Sequence, residues 1–200
     1  ANLTKQLTAA TSDIQRNDIY GQLFEEYKNY QMDSALLYSD KRIELTTHMG
    51  AASQLVTAHM NRAEVMMVTG MYKEALDILD YLEANSRNVY TEQQKAYSYH
   101  LYHSLYILMA DYSFSENERK YYKNLEFQYK DSILSTLAPD NIGYSLVRST
   151  QLLGSGKYDE ALKLATRCYK EFSNNPHNVA LTAYTLSEIY HSTGDRENEK

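Results

Sequence analysis

Gly70-Met71-Tyr72-Lys73-Glu74-Ala75-Leu76 returns as Gly156-Lys157-Tyr158-Asp159-Glu160-Ala161-Leu162, identical at five of seven positions. Glycine reaches φ > 0 without steric cost, so it lets the chain reverse between two helices. The tyrosine that follows closes the wedge between the helices, and the alanine lets their backbones approach. Both copies continue into apolar residues at helical spacing, the pattern of a helix with one buried face. This is how the second helix of a helix-turn-helix unit begins, and the chain is organised by repeating it.

On either side of Gly70, helices are predicted over Ala52–Thr69 and Tyr72–Ser86, the second burying Ala75, Ile78, Leu79 and Leu82. Asp33-Ser34-Ala35-Leu36 opens an earlier helix that reaches Gly50. Ser12 and Gln15 have capping-box spacing for a helix over Asp13–Tyr30, with Ile19, Tyr20, Leu23, Phe24 and Tyr27 on one face. Gly21 lies inside this pattern and weakens it modestly. Residues 1–12 are polar and read as a flexible segment or the frayed end of a preceding helix.

Thr91 and Gln94 supply a second capping box, starting a long helix to Ala110 that is apolar nearly all round from Tyr97 to Leu108. Such a helix is covered on more than one side. Ser115 and Glu118 form a third box, opening a helix to Leu137 that carries Tyr121, Tyr122, Leu125, Tyr129 and Ile133. Pro139-Asp140 breaks the chain and is expected to cap the next helix, which stops at Gly154 or Gly156. A helix from Tyr158 to Phe172 follows. Asn175-Pro176, an N-cap and a first-turn proline, then starts a last helix with Val179, Leu181, Leu186 and Ile189. Beyond Gly194 the residues Asp195–Lys200 have no apolar face, and the array reads as cut there.

Gly70, Gly156 and Gly194 stand 86 and 38 residues apart. Halving the first interval puts the missing middle turn near Tyr112-Ser113, and Ala35 precedes Ala75 by 40 residues. A period of this kind between helix pairs means a solenoid. The expected fold is therefore all-α: a superhelix of about four and a half helical hairpins. The repeats run over about 13–50, 52–86, 91–137, 140–173 and 176–200, forming one repeat domain from 13 to 200.

The pattern resembles the tetratricopeptide repeat (TPR). Tyr20, Leu23, Phe24 and Tyr27 echo its first helix in repeat one; Ala63, Ala75 and Leu79 match in repeat two. Ser149, Leu152, Ala161, Ala165 and Cys168 match in repeat four, and Ser187, Tyr190, Gly194 and Asp195 begin repeat five. The chain departs from the family in its longer period (the usual repeat is about 34 residues), in lacking tryptophan, and in a third repeat that keeps almost none of the motif. The resemblance implies a right-handed superhelix that binds a peptide or protein segment on the concave surface of its first helices. Carried onto this chain, the groove positions are Met60, Glu64 and Met67; Leu146, Thr150 and Leu153; and Tyr184, Glu188 and His191. Met60 and Met67 suit an adaptable apolar contact, with core packing an equal alternative.

A narrower resemblance lies in Leu23-Phe24-Glu25-Glu26-Tyr27-Lys28-Asn29-Tyr30-Gln31-Met32-Asp33-Ser34-Ala35-Leu36. This stretch is similar to membrane-anchored TPR regulators of Gram-negative gut bacteria, whose exported repeat region precedes one membrane helix and a cytoplasmic output part. It implies a periplasmic or extracytoplasmic sensor region, with a cytoplasmic scaffold as the alternative. The opening on Ala1 rather than methionine fits a processed or trimmed N terminus.

Composition narrows the chemistry. The net charge is −6 with both signs mixed along the chain, and no Lys/Arg cluster exists to neutralise phosphates, so this segment is not expected to bind nucleic acid or an anionic membrane. No run approaches a transmembrane length. Cys168 stands alone at a helical core spacing and reads as a small buried hydrophobe. His100 and His103 could share a helix face, but no neighbouring residue supplies the third ligand zinc needs; no metal or cofactor is expected. Adjacent carboxylates at Glu25/Glu26 and Asp159/Glu160 point about 100° apart on a helix and form no acid/base couple. No phosphate-loop, dinucleotide, nucleophile-elbow or zincin motif occurs, so the chain reads as a non-catalytic binding module. Twenty tyrosines against four phenylalanines and no tryptophan fill gaps between helices, with some free to line a groove. A glycan ligand is the alternative to a peptide, though the tryptophan platforms, larger chains and non-repeat insertions typical of TPR-containing sugar-binding lipoproteins are missing here. A homo-oligomer is compatible with all of this.

Overall fold

The computed structural model of the chain describes residues 3–174 and 176–194. These form ten α-helices and no strand: α1 (Leu3–Ala9), α2 (Asp13–Tyr27), α3 (Met32–Met49), α4 (Ala52–Val68), α5 (Tyr72–Ser86), α6 (Glu92–Asp111), α7 (Glu116–Thr136), α8 (Ile142–Gly154), α9 (Tyr158–Glu171) and α10 (Pro176–Thr193). A single 3-10 turn at Arg87–Val89 joins α5 to α6. The expected N-cap Asn175, and Asp195 in the last repeat, lie outside the described residues. Within the polar opening segment, α1 is a seven-residue helix with no buried side chain.

The turn glycines do what the repeated heptapeptide demands. Gly70 and Gly156 hold φ of 85° and 71°, and the amides behind them, Met71 N and Lys157 N, donate to Met66 O and Leu152 O across the turn. A Cβ in this left-handed region costs about 1–2 kcal/mol. Gly154, two residues upstream, is helical, and a Cβ there would meet nothing within 4 Å. Gly156→Ala is therefore expected to lose about 1–2 kcal/mol. Gly154→Ala should hold or gain up to about 1 kcal/mol, and urea unfolding of the two variants side by side checks the contrast.

Side-chain caps fix the starts of α2, α6, α7 and α8. Thr91 accepts from Gln94 N at 3.2 Å while Gln94 Oε1 accepts from Thr91 N at 2.8 Å, a complete capping box. At α2 the reciprocal bond moves one residue back: Ser12 accepts from Gln15 N, but Gln15 Oε1 accepts from Thr11 N at 3.0 Å. Asp140 does not cap α8. Asn141 does, its Oδ1 accepting from Gly143 N at 2.7 Å, because the Pro139-Asp140 turn runs one residue longer than expected.

The chain divides into two compact units, residues 1–123 and 124–200. In the first, α2 packs on α3, α3 on α4 and α4 on α5, while α6 packs against both α4 and α5. In the second, α8 packs on α9 and α9 on α10, and α10 also touches α8. The α4–α6 and α8–α10 contacts each join the first helices of neighbouring hairpins, the contact that defines stacking of repeats. Ala35, Ala75 and Ala161, the small residues of the second helices α3, α5 and α9, are all fully buried. α6 carries Leu101, Tyr102, Leu105, Tyr106 and Ala110 in the core, as its all-round apolar surface requires.

Tyrosines fill the wedges. Tyr27 stacks on Tyr38 with ring centroids 5.8 Å apart, and Tyr72 meets Tyr112 at 5.7 Å. Tyr102 and Tyr122 flank Tyr106 at 6.0 and 6.2 Å. A buried tyrosine usually gives its hydroxyl a polar partner, and Tyr102 does so by donating to Asp80 Oδ1 at 2.9 Å.

Candidate functional site

The first three first helices, α2, α4 and α6, border an open groove of about 1060 Å³. Asp18, Gln22 and Glu25 line it from α2, with Lys28 just past the end of that helix, and Ser53, Gln54, Thr57 and Asn61 line it from α4. Thr91, Gln93, Gln94 and Tyr97 close it at the start of α6. The spacing explains the lining: positions 53, 57 and 61 recur every four residues and share one face of α4. All of these side chains except Tyr97 lack an aromatic ring, and most carry an amide, a hydroxyl or a charge.

The floor is a connected polar network. Gln94, already the capping residue of α6, reaches across to α4 and donates to Ser53 O at 2.7 Å and Thr57 Oγ1 at 2.8 Å. Asn61 donates to the Tyr97 hydroxyl at 3.2 Å, and that hydroxyl donates to Glu64. Glu64 also pairs with Lys28 at 3.3 Å, and Lys28 with Glu25 at 3.0 Å. Burial pushes the Tyr97 phenol well above its usual range, and the neighbouring Glu64 charge pushes it further. For Lys28 burial works downward, but the hydrogen bond to Glu25 and the field of Glu64 outweigh it and leave the ammonium more basic.

One member comes from a second helix. Arg42 on α3 is 9% exposed, yet its guanidinium reaches the groove. Its Nε donates to Asn17 Oδ1 at 3.2 Å and its Nη1 to Asn61 Oδ1. Burial lowers its pKa, offset in part by the charge of Asp18.

The residues anticipated from sequence are placed differently. Met60 is fully buried and Met67 is 9% exposed; both belong to the core and neither offers a surface to a ligand. Glu64, on the boundary between the core stripe and the groove stripe of α4, joins the network. Leu146, Thr150, Leu153, Tyr184, Glu188 and His191 lie in the second unit. There Leu153 packs against the Leu152–Ala161–Ala165–Ile189 cluster. Tyr184, 66% exposed, donates to Glu188 Oε1 at 3.1 Å, and His191 is exposed. Among the described residues no three His, Cys, Asp or Glu side chains converge to hold a metal, and no helix is long and apolar enough to cross a membrane. Cys168 is 1% exposed, and burial pushes its thiol up.

A second cavity of about 810 Å³ opens beside the 3-10 turn, lined in part by Asn85, Asn88 and Tyr90. The Tyr90 hydroxyl is buried and has no partner among the described residues. Burial, with a smaller push from the Glu83 charge, raises its pKa to about 12. The folded chain then holds this proton above the ordinary pKa of about 10. Between about pH 10 and pH 12 the unfolded chain ionises first, and stability falls as pH rises. Tyr90→Phe removes an unsatisfied buried group and should gain about 1 kcal/mol at neutral pH. It should also flatten the alkaline decline, as urea midpoints measured from pH 8 to 12 would reveal.

Residues 1–200 match the family described as the SusR N-terminal TPR domain. Among solved structures, the chain is similar to a thermophilic TPR protein from Thermus thermophilus, at 15% identity and a TM-score of 0.64 over 94% of this chain and 86% of that one. No curated protein matches it.

Proposed function

The chain belongs to the SusR N-terminal TPR domain family, and on that premise we propose that it is the extracytoplasmic sensing part of a signalling or transcriptional regulator, recognising a peptide or protein segment without catalysis. TPR domains are helical-repeat modules for protein binding. The observation that carries the reading is the groove over α2, α4 and α6, where Gln22, Gln54 and Gln93 present exposed amides from three successive first helices. Amides in a row suit the main chain of an extended segment, because each offers both a donor and an acceptor whatever the ligand's side chains. Occupancy would bridge three hairpins at once, and in a stack held by neighbour contacts that shifts the balance of repeat packing.

The test is site-specific photocrosslinking in the source cell. A photoreactive residue at Gln54, in the groove, should capture a defined partner, while the same residue at exposed Tyr81 on α5 should not. Equal capture at both sites, or none at Gln54, would sink the groove as the binding surface. Protease accessibility of the chain in spheroplasts tests the compartment: protection in intact spheroplasts contradicts the extracytoplasmic placement.

A further inference from the structure

We propose that the groove carries a dedicated carboxylate site, with the Arg42 guanidinium as its anion-binding group and Gly21 as the opening through which that group is presented; this rests on the reading of the groove as the ligand surface. Arg42 is a second-helix residue, yet its guanidinium passes between α2 and α4 to reach the first-helix surface. Gly21 makes the passage. A Cβ at position 21 would lie 3.3 Å from Arg42 Cζ and Nη1 and 3.6 Å from Nη2, tight enough that the guanidinium would have to shift.

Two separate costs meet at this point. A glycine inside a helix is unfavourable relative to alanine, and a buried cation is normally paired with an anion. Arg42 has instead two neutral amides, Asn17 and Asn61, both buried. They fix the plane of the guanidinium through Nε and Nη1. Nη2 donates to no described residue and remains for a ligand, next to the edge that Nη1 presents. A planar fork held in this way matches the two oxygens of a carboxylate.

The other charges at the groove are already committed or lie at its rim. Lys28 is engaged by Glu25 and Glu64, whereas Arg42, the other cation lining the groove, is bonded to neutral amides and to no carboxylate among the described residues. Asp18 and Glu25 exert their fields on it without forming a hydrogen bond to it. Exposed Asp18 competes with an incoming anion by repulsion, so Asp18→Asn should tighten binding. The carboxylate has two natural sources in a polypeptide ligand: a chain terminus or an acidic side chain.

The experiment uses the 200-residue chain, labelled with ¹⁵N, and follows the Arg42 Nε–H signal. Sodium acetate should shift it saturably, and acetamide should not. Gly21→Ala should keep the helical circular dichroism while weakening the acetate response at least tenfold; Arg42→Lys, which keeps the charge but loses the fork, should weaken it as well. The peptides Ac-Ala-Ala-Ala-OH and Ac-Ala-Asp-Ala-NH₂ separate the two sources, the tighter one naming the natural ligand group. An equal response to acetate and acetamide, no response to either, or unchanged acetate binding in Gly21→Ala overturns the proposal. Photocapture at Gln54 with an Arg42 signal indifferent to acetate would overturn this inference alone and leave the groove reading standing.

Discussion

Phe24→Ala is expected to remove about 3–5 kcal/mol from the first unit, the largest loss among the substitutions considered for this protein. Phe24 is completely buried and belongs to one cluster with Ala35 and Val65, flanked by Tyr27, Met32, Leu36 and Tyr38. It therefore ties α2, α3 and α4 together at a single point. The surrounding side chains cannot collapse into the void, since Ala35 has no length to extend and the Tyr27–Tyr38 stack is fixed on both rings. The loss should be local to the first unit, because stability in stacked repeats is a sum of hairpin and neighbour terms. Hydrogen exchange should therefore show amides of α2 and α3 losing protection while those of α8 and α9 keep theirs. The groove should suffer too: Lys28 sits 5.7 Å from the Phe24 ring centroid, and losing that ring frees the ammonium from its place between Glu25 and Glu64. A cost below about 1 kcal/mol, or a uniform loss across both units, would mean that this cluster does not hold the first two hairpins together.

The helices and their order can be read from the sequence because the signals are local. Gly70 and Gly156 mark turns by backbone necessity, Thr91-Gln94 closes its own capping box, and Ala35, Ala75 and Ala161 recur where two backbones touch. The unmarked turn near Tyr112-Ser113 follows from spacing alone, and Tyr112 does end α6. Sequence and structure part where one residue of phase decides the outcome. Asn141 rather than Asp140 caps α8, since both residue types make good caps and the sequence does not say where the turn ends. On α4 the same problem displaces the groove: Met60 and Asn61 are adjacent, about 100° apart on the helix, and it is Asn61 that lines the groove. Arg42 and Gly21 are invisible as a pair. A glycine inside a helix reads as a weak point until the side chain that occupies its missing Cβ is known, and that side chain comes from another helix 21 residues away. Asn17, Gln94 and Tyr97 are legible only as helix-face residues, because the bonds that make them a network span α2, α3, α4 and α6.

Asn61→Leu is expected to cost about 2–3 kcal/mol, more than its loss of two hydrogen bonds between neutral groups would suggest. The reason is what it leaves behind. Its Oδ1 accepts from Arg42 Nη1, and its Nδ2 donates to the Tyr97 hydroxyl; leucine strands a buried guanidinium with Asn17 as its remaining partner. If the cost comes from that stranded cation, it should shrink once the cation is gone. Asn61→Leu made in an Arg42→Met background should therefore cost at least about 1 kcal/mol less than in the native chain, a coupling of the size seen within buried polar networks. Arg42→Met alone gives the comparison from the other side, since it leaves Asn17 and Asn61 with unused acceptors while relieving the burial of a charge. Equal costs for Asn61→Leu in the two backgrounds would show that Arg42 and Asn61 are neighbours rather than a unit. A strong coupling has a functional consequence: the same amide that stabilises the buried cation also sets the plane in which its free edge meets the groove. Asn61→Leu should then weaken acetate binding even though it adds no charge and removes none, because an anion bound by two parallel hydrogen bonds depends on the orientation of the fork as much as on its charge.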